Sequence, residues 1–150
     1  MKIIITTLSI VFLLLVSFHF AYAEKIALRT IKGHYITAKG GGGGTVNADK
    51  ARLGTWETFE VVNVGGGKIA LRTHNGRYVV AEGGGGGALN ADRVEIRAWE
   101  KFTFIPLRGN KVCIKTHRGH FVVAERGGGG AVNANRNRCK GWETFEKINL

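Results

Sequence analysis

Lys68-Ile-Ala-Leu-Arg-Thr73, Asn75-Gly-Arg-Tyr-Val-Val-Ala81, Leu89-Asn-Ala-Asp92 and Trp99-Glu-Lys-Phe102 make the stretch whose reading decides the fold. The same plan stands 43 residues earlier and 43 residues later, with no gap needed to align the copies. Lys25, Lys68 and Lys111 match, as do Gly33, Gly76 and Gly119, and Ala38, Ala81 and Ala124. So do Asn47, Asn90 and Asn133; Trp56, Trp99 and Trp142; Glu57, Glu100 and Glu143; and Phe59, Phe102 and Phe145. The units run over 25–67, 68–110 and 111–150, and a fixed period of this length marks a repeat architecture.

Each unit reads as four strands. Lys25–Thr30 alternates, with Ile26 and Leu28 on one face. Gly33 supplies a turn, and Tyr35–Ala38 makes a second short strand. A glycine block follows, then Thr45–Ala48 and Phe59–Val62 as the third and fourth strands. No sustained helical period is present, so about 12 short strands at regular spacing are expected. Three blades fall below the usual minimum for a propeller, and a solenoid needs capping ends that are not evident. The expected fold class is all-β, a β-trefoil: three four-strand repeats with pseudo-threefold symmetry, closed as a barrel so that free edge strands are avoided.

The pattern Ile69–Thr73, Asn75–Ala81, Leu89–Ala91 and the Phe102 strand resembles the fascin-like β-trefoil family of the actin-crosslinking superfamily. Gly119-His-Phe-Val-Val-Ala124 is similar to its hisactophilin-like members. Ala81-Glu-Gly-Gly-Gly-Gly-Gly87 with Trp142-Glu-Thr-Phe145 looks most like the secreted bacterial type. The resemblance covers the whole of 24–150. It implies a β-trefoil, and either actin-filament crosslinking or, for the bacterial modules, carbohydrate binding. Trp at positions 56, 99 and 142 departs from the usual fascin pattern.

Upstream of the repeats, Lys2 precedes an apolar run from Ile3 to Phe20 and then Ala21-Tyr-Ala23. A basic start, an apolar stretch and a small-x-small site read as a signal peptide over residues 1–23. The competing reading is an uncleaved membrane anchor. Cleavage leaves a single domain, 24–150, secreted or periplasmic, with no membrane association.

Several chemistries are excluded or disfavoured. The only serines are Ser9 and Ser17, and the chain has no Gln. A Ser-His-Asp hydrolase cannot be built after residue 23, and the Gln-x-Trp motif of ricin-type lectins is absent. Most of the 23 glycines come in blocks, Gly40–Gly44, Gly65–Gly67, Gly83–Gly87 and Gly127–Gly130, without a P-loop Lys-Ser/Thr or a helix to follow. They are expected to let backbone turn or approach closely. His74, His117 and His120 read as exposed hairpin residues, because a zinc site needs three or four converging ligands. Glu57, Glu100 and Glu143 are expected to pair with Arg29, Arg72 and Lys115. Cys139 falls where the other repeats carry Leu53 and Ile96, which suggests a core aliphatic position; Cys113 falls where they carry Ala27 and Ala70. The two are either buried thiols or a single bridge. No enzyme, metal or cofactor is expected.

Phe59, Phe102 and Phe145 are expected in the core. Trp56, Trp99 and Trp142 admit two readings: packing at the barrel floor, or stacking platforms for sugar rings, each with a hydrogen-bonding edge. Asn47 and Asp49, Asn90 and Asp92, and Asn133 and Asn135 either bind sugar hydroxyls or hold their own turns. Net charge is +11 at pH 7, and Lys50, Arg52, Arg93, Arg97, Arg136, Arg138 and Lys140 follow the Asn segments. Such a rim favours acidic polymers, while no motif points to specific nucleic-acid recognition. The expected function is non-enzymatic binding of a polysaccharide or other glycan through up to three related sites. The alternative is crosslinking of an actin filament or charge-driven binding of an acidic polymer.

Overall fold

Alternating apolar residues in Lys25–Thr30 and its copies produce the strands they predict. The computed structural model describes residues 1–4 and 22–150, so the leader expected over 1–23 lies almost wholly outside the described residues. Repeat one holds β1 (Glu24–Arg29), β2 (Tyr35–Ala38), β3 (Val46–Lys50) and β4 (Phe59–Gly65). Repeat two holds β5 (Lys68–Arg72), β6 (Tyr78–Ala81), β7 (Leu89–Arg93) and β8 (Thr103–Pro106). Repeat three holds β9 (Lys111–Lys115), β10 (Phe121–Ala124), β11 (Val132–Arg136) and β12 (Thr144–Asn149).

The first and last strands of each repeat close a six-membered antiparallel ring. β1 pairs with β4, β4 with β5, β8 with β9, β9 with β12, and β12 with β1. The bridge between Ile69 and Phe102 completes the circuit from β5 to β8. The register within repeats is the same each time: Ile26 opposite Phe59, Ile69 opposite Phe102, Val112 opposite Phe145. The middle strands form three hairpins, β2–β3, β6–β7 and β10–β11. Bridges from Thr45 to Asn90, Asn47 to Ala131 and Ala88 to Asn133 tie these hairpins to one another around the threefold axis. This is a β-trefoil: a closed barrel with three capping hairpins.

Phe59, Phe102 and Phe145 fill the core with Ile26, Leu28, Val79, Val122 and their equivalents. Truncating one of these phenylalanines to alanine costs about 3–5 kcal/mol. Ala38, Ala81 and Ala124 are fully buried at the ends of β2, β6 and β10.

The glycine blocks hold the repeats together. Gly41 O accepts from Asn75 N at 2.8 Å, Gly84 O from Arg118 N at 2.9 Å, and Gly127 O from Lys32 N at 3.3 Å. Each glycine loop therefore docks on the first turn of the next repeat, and the third loop returns to the first. Gly85 shows why glycine is required there. Its φ is +124°, and a Cβ would stand 2.5 Å from Thr116 Oγ1 and 2.8 Å from His120 Nδ1.

Three expectations are corrected. Cys139 does not occupy a core position: it is half-buried in the loop before β12, and its counterpart Leu53 is exposed. It forms a disulfide with Cys113, which is buried on β9, at a Cα–Cα separation of 6.2 Å. His74 and His117 are exposed, but His120 is half-buried against the Gly85–Gly86 loop. Glu57, Glu100 and Glu143 do not pair with Arg29, Arg72 and Lys115. Arg29 pairs with Glu146 and Arg72 with Glu60, across the barrel strands that join neighbouring repeats. The recurring Trp-adjacent glutamates lie on the hairpin side instead.

Candidate functional site

The segment Trp-Glu-x-Phe sends its residues in three directions. It begins on a one-turn 3-10 helix, Thr55–Glu57, Ala98–Glu100 or Gly141–Glu143. The Phe enters the core. The Glu turns inward and is buried. Glu100 accepts from Arg97 N at 2.9 Å and lies 3.7 Å from Arg93 Nε. Glu143 accepts from Lys140 N at 3.2 Å and lies 3.8 Å from Arg136 Nε. Glu57 instead accepts from Thr37 Oγ1 at 2.6 Å. A buried carboxylate so bonded fixes the turn, because leaving it unpaired is costly.

The fixed turn presents the tryptophan outward. Trp56, Trp99 and Trp142 are 43%, 40% and 45% exposed, so they stand at the surface and not in the core or barrel floor. Each indole leans its Cδ1–Nε1 edge on the glycine loop of its own repeat. A Cβ on Gly41, Gly84 or Gly127 would come within 3.1 to 3.2 Å of Cδ1 of that Trp. The same glycine is flanked on its other side by the next repeat: Asn75 beside Gly41, Arg118 beside Gly84, Ile31 beside Gly127. The result is an aromatic group held at one edge beside a flat backbone surface, three times over.

The repeats differ around this shared frame. Trp99 lines an open cleft of about 410 Å³ with Arg93, Val94, Glu95, Arg97 and Glu100. The counterparts of Val94, Glu95 and Arg97 are Ala51, Arg52 and Gly54 in repeat one, and Asn137, Arg138 and Lys140 in repeat three. Trp142 has the exposed Ile31 nearby in place of a polar residue. Position-by-position identity between repeats finds the tryptophans but not Val94 or Glu95. Their signal is the opposite one, variation inside an otherwise repeated unit.

The Asn segments are bonded largely within the protein. Asn90 Nδ2 donates to Glu82 Oε1 at 3.0 Å, and Asn133 Nδ2 to Glu125 Oε1 at 2.9 Å. Arg93 holds both oxygens of Glu82, at 2.9 and 2.8 Å, and also Asp92. Arg136 holds one oxygen of Glu125, at 2.7 Å, and also Asn135. Repeat one replaces this network with Lys39 donating to Asp49 at 2.8 Å, and that bond holds the Asp49 carboxyl below the usual carboxylate range. Asn47 lies half-buried on β3 between these elements. These residues brace the glycine loops, and through them the ground on which the tryptophans lean.

No family model matches the chain, and no curated protein sequence matches it. Solved structures do. The designed three-fold symmetric protein ThreeFoil superposes with a TM-score of 0.75 at 14% identity, over 84% of this chain and 99% of that one. The exo-β-1,3-galactanase 1,3Gal43A from Clostridium thermocellum gives 0.75 at 13% identity, over 85% of this chain and 30% of that one. A mosquitocidal holotoxin gives 0.74 at 6% identity, over 85% of this chain and 17% of that one. The chain thus matches one part of two much longer proteins and nearly all of a designed one. At these identities the likeness establishes the β-trefoil fold alone.

Proposed function

We propose that the chain is a secreted or periplasmic, non-enzymatic carbohydrate-binding module that grips a polysaccharide through Trp56, Trp99 and Trp142. The observation that carries this reading is the repeated exposure of the three indoles, each braced beside a glycine loop. A large aromatic left open on a rigid turn supplies an apolar face for a sugar ring, while its Cδ1–Nε1 edge rests on the glycine loop that holds it. The cleft at Trp99 adds Arg93, Glu95 and Arg97 as hydrogen-bonding groups around that face. Weak sites of this kind, repeated on one rigid body, act together on a polymer. The galactanase neighbour, a protein named for action on a glycan, lends support at the level of fold. The leader-like N-terminus supports export, and the Cys113–Cys139 bridge suits an oxidising compartment. The Asn and Asp residues of β3, β7 and β11 serve this site as bracing.

The excess of positive charge favours a second reading, crosslinking of an acidic polymer or, following the fascin-like resemblance, of an actin filament. The two separate in one experiment. The protein is passed over neutral and acidic polysaccharides and filamentous actin, at low and high salt. Retention on a neutral polysaccharide that survives salt supports the module. Retention only at low salt, or on actin alone, overturns it in favour of the charge-driven reading.

A further inference from the structure

Where adjacent repeats join on the barrel wall, three side chains stand in line across three strands. At the junction of repeats one and two they are Lys25, Glu60 and Arg72, with Lys25 opposite Glu60 and Glu60 opposite Arg72. At the junction of repeats three and one they are Lys111, Glu146 and Arg29, in the same register. Directly opposed residues of antiparallel strands share a face, so each glutamate lies between two cations. The pairing is real at both junctions: Arg29 Nε donates to Glu146 at 2.8 Å, and Arg72 lies 3.9 Å from Glu60. Lys111 also acts on Glu146, whose carboxyl is held down chiefly by the Arg29 bond. Each line borders a recess, of about 340 Å³ beside Thr58, Thr73 and His74, and about 270 Å³ beside Thr144, Thr30 and Ile31.

The junction of repeats two and three breaks this rule. The bridge from Ile69 to Phe102 sets Lys68 opposite Thr103, and Thr103 is opposite Lys115. The central acid is therefore replaced by a hydroxyl. Thr58 and Thr144 become Lys101, and Ile31 and His74 become His117. Among the described residues, Lys68, Lys101, Lys115 and His117 have no acidic group within salt-bridge distance. Lys115 is half-buried, with its ammonium 5.9 Å from the Phe121 ring centroid, and this restricts where its charge can sit.

We propose that this junction binds a tetrahedral oxyanion, a sulfate or phosphate group, in the place that Glu60 and Glu146 occupy at the other two. Lys68 and Lys115 flank the anion from either strand, Thr103 Oγ1 donates from beneath it, and Lys101 and His117 close the approach. Strong, compact acceptors suit several lysine ammonium donors around one point. The site shares no residue with the tryptophan cleft and stands or falls separately from the carbohydrate reading.

The test is backbone-amide NMR on the purified protein. Sodium sulfate, and in a second series sodium phosphate, is titrated against sodium chloride at matched ionic strength. Saturable shifts are expected at Lys68, Thr103 and Lys115, with the Glu60 and Glu146 junctions unmoved. Thr103→Glu restores the residue the other junctions carry, so it folds, and it should weaken sulfate binding at least tenfold. Trp99→Ala should leave the sulfate response unchanged. Equal shifts at all three junctions, or unaltered binding by Thr103→Glu, would overturn the assignment. A sulfated polysaccharide compared with its desulfated form then distinguishes a polymer-borne ester from a free ion.

Discussion

Truncating Trp99 to alanine separates a platform from a packing residue, because the two predict different losses of stability. A tryptophan has about 250 Å² of side chain to bury. Trp99 is 40% exposed, so about 150 Å² is covered. Alanine retains about a third of that, and the roughly 100 Å² returned to water is worth about 2.5 kcal/mol. Residual compaction of the unfolded chain lowers this to about 2 kcal/mol. Phe102, three residues on and 1% exposed, should lose about 3–5 kcal/mol on the same truncation. For a domain of this size the two differ by roughly 8 °C in melting temperature. Losing a central stacking contact costs binding about 2 kcal/mol, or about thirtyfold in Kd for that site. Urea denaturation of both variants, with polysaccharide retention of the folded Trp99→Ala protein, measures each quantity. If Trp99→Ala destabilises as much as Phe102→Ala, or binds as tightly as wild type while folded, the platform argument fails.

Three further outcomes test the frame beneath the site. Gly128→Ala puts a Cβ 2.5 Å from Thr30 Oγ1 at a φ of +122°, and should cost about 2–4 kcal/mol in urea unfolding. Gly66→Ala, at positive φ but with open space around it, should cost roughly 1 kcal/mol, and equal losses would show that close approach is irrelevant. Reducing the Cys113–Cys139 bridge, whose ends are 26 positions apart in sequence, should remove about 3 kcal/mol, seen as a lower urea midpoint in reductant. Acid should erode stability through Asp49 and Glu146. Lys39 and Arg29 depress their folded-state pKa values, so the contribution is present above the unfolded carboxylate range and lost as pH falls below it through the folded values. In Asp49→Asn/Glu146→Gln that acid limb should be shallower; an unchanged limb refutes the assignment.

The fold was legible because period and alternation act at the level of single strands. Ile26, Leu28 and Phe59 declare the barrel face in one repeat, and identical spacing supplies the other two. The direction of Trp56, Trp99 and Trp142 was not legible. An aromatic three residues before a core Phe has the spacing of either a buried or an exposed residue on an irregular turn. What decides it is the Glu between them, buried and hydrogen-bonded to backbone or Thr37, which rotates the turn outward. The partners of that Glu were also hidden. Arg93 and Arg136 are seven residues upstream, at the ends of β7 and β11, and the loop between strand and turn folds back to bring them near. The Asn side chains were seen as chemically able to bind sugar, but their neighbours Glu82 and Glu125 engage them first.

The threefold frame does not make three equal sites. Residues that fill the barrel core recur in all repeats, since each performs the same packing task under the same symmetry. Residues around the tryptophans do not: beside the glycine on which each indole leans stand Asn75, Arg118 and Ile31 in turn. A neutral amide, a cation and an aliphatic group next to the three indole supports would offer a ligand different chemistry. The oxyanion junction follows the same logic, because Thr103 departs from Glu60 and Glu146 at a position where the barrel needs no particular side chain. In a symmetric fold, such departures at exposed positions are where binding chemistry can differ without cost to the core. A multivalent grip built this way would read a pattern along a polymer, and the double change Ile31→His/Lys32→Asn, which installs the His74-Asn75 pair of the second repeat, should make the Trp142 site behave like the Trp56 site. Competition of short neutral oligosaccharides against each single-Trp variant measures that: convergence of the two profiles supports the argument, and unchanged profiles for Ile31→His/Lys32→Asn refute it.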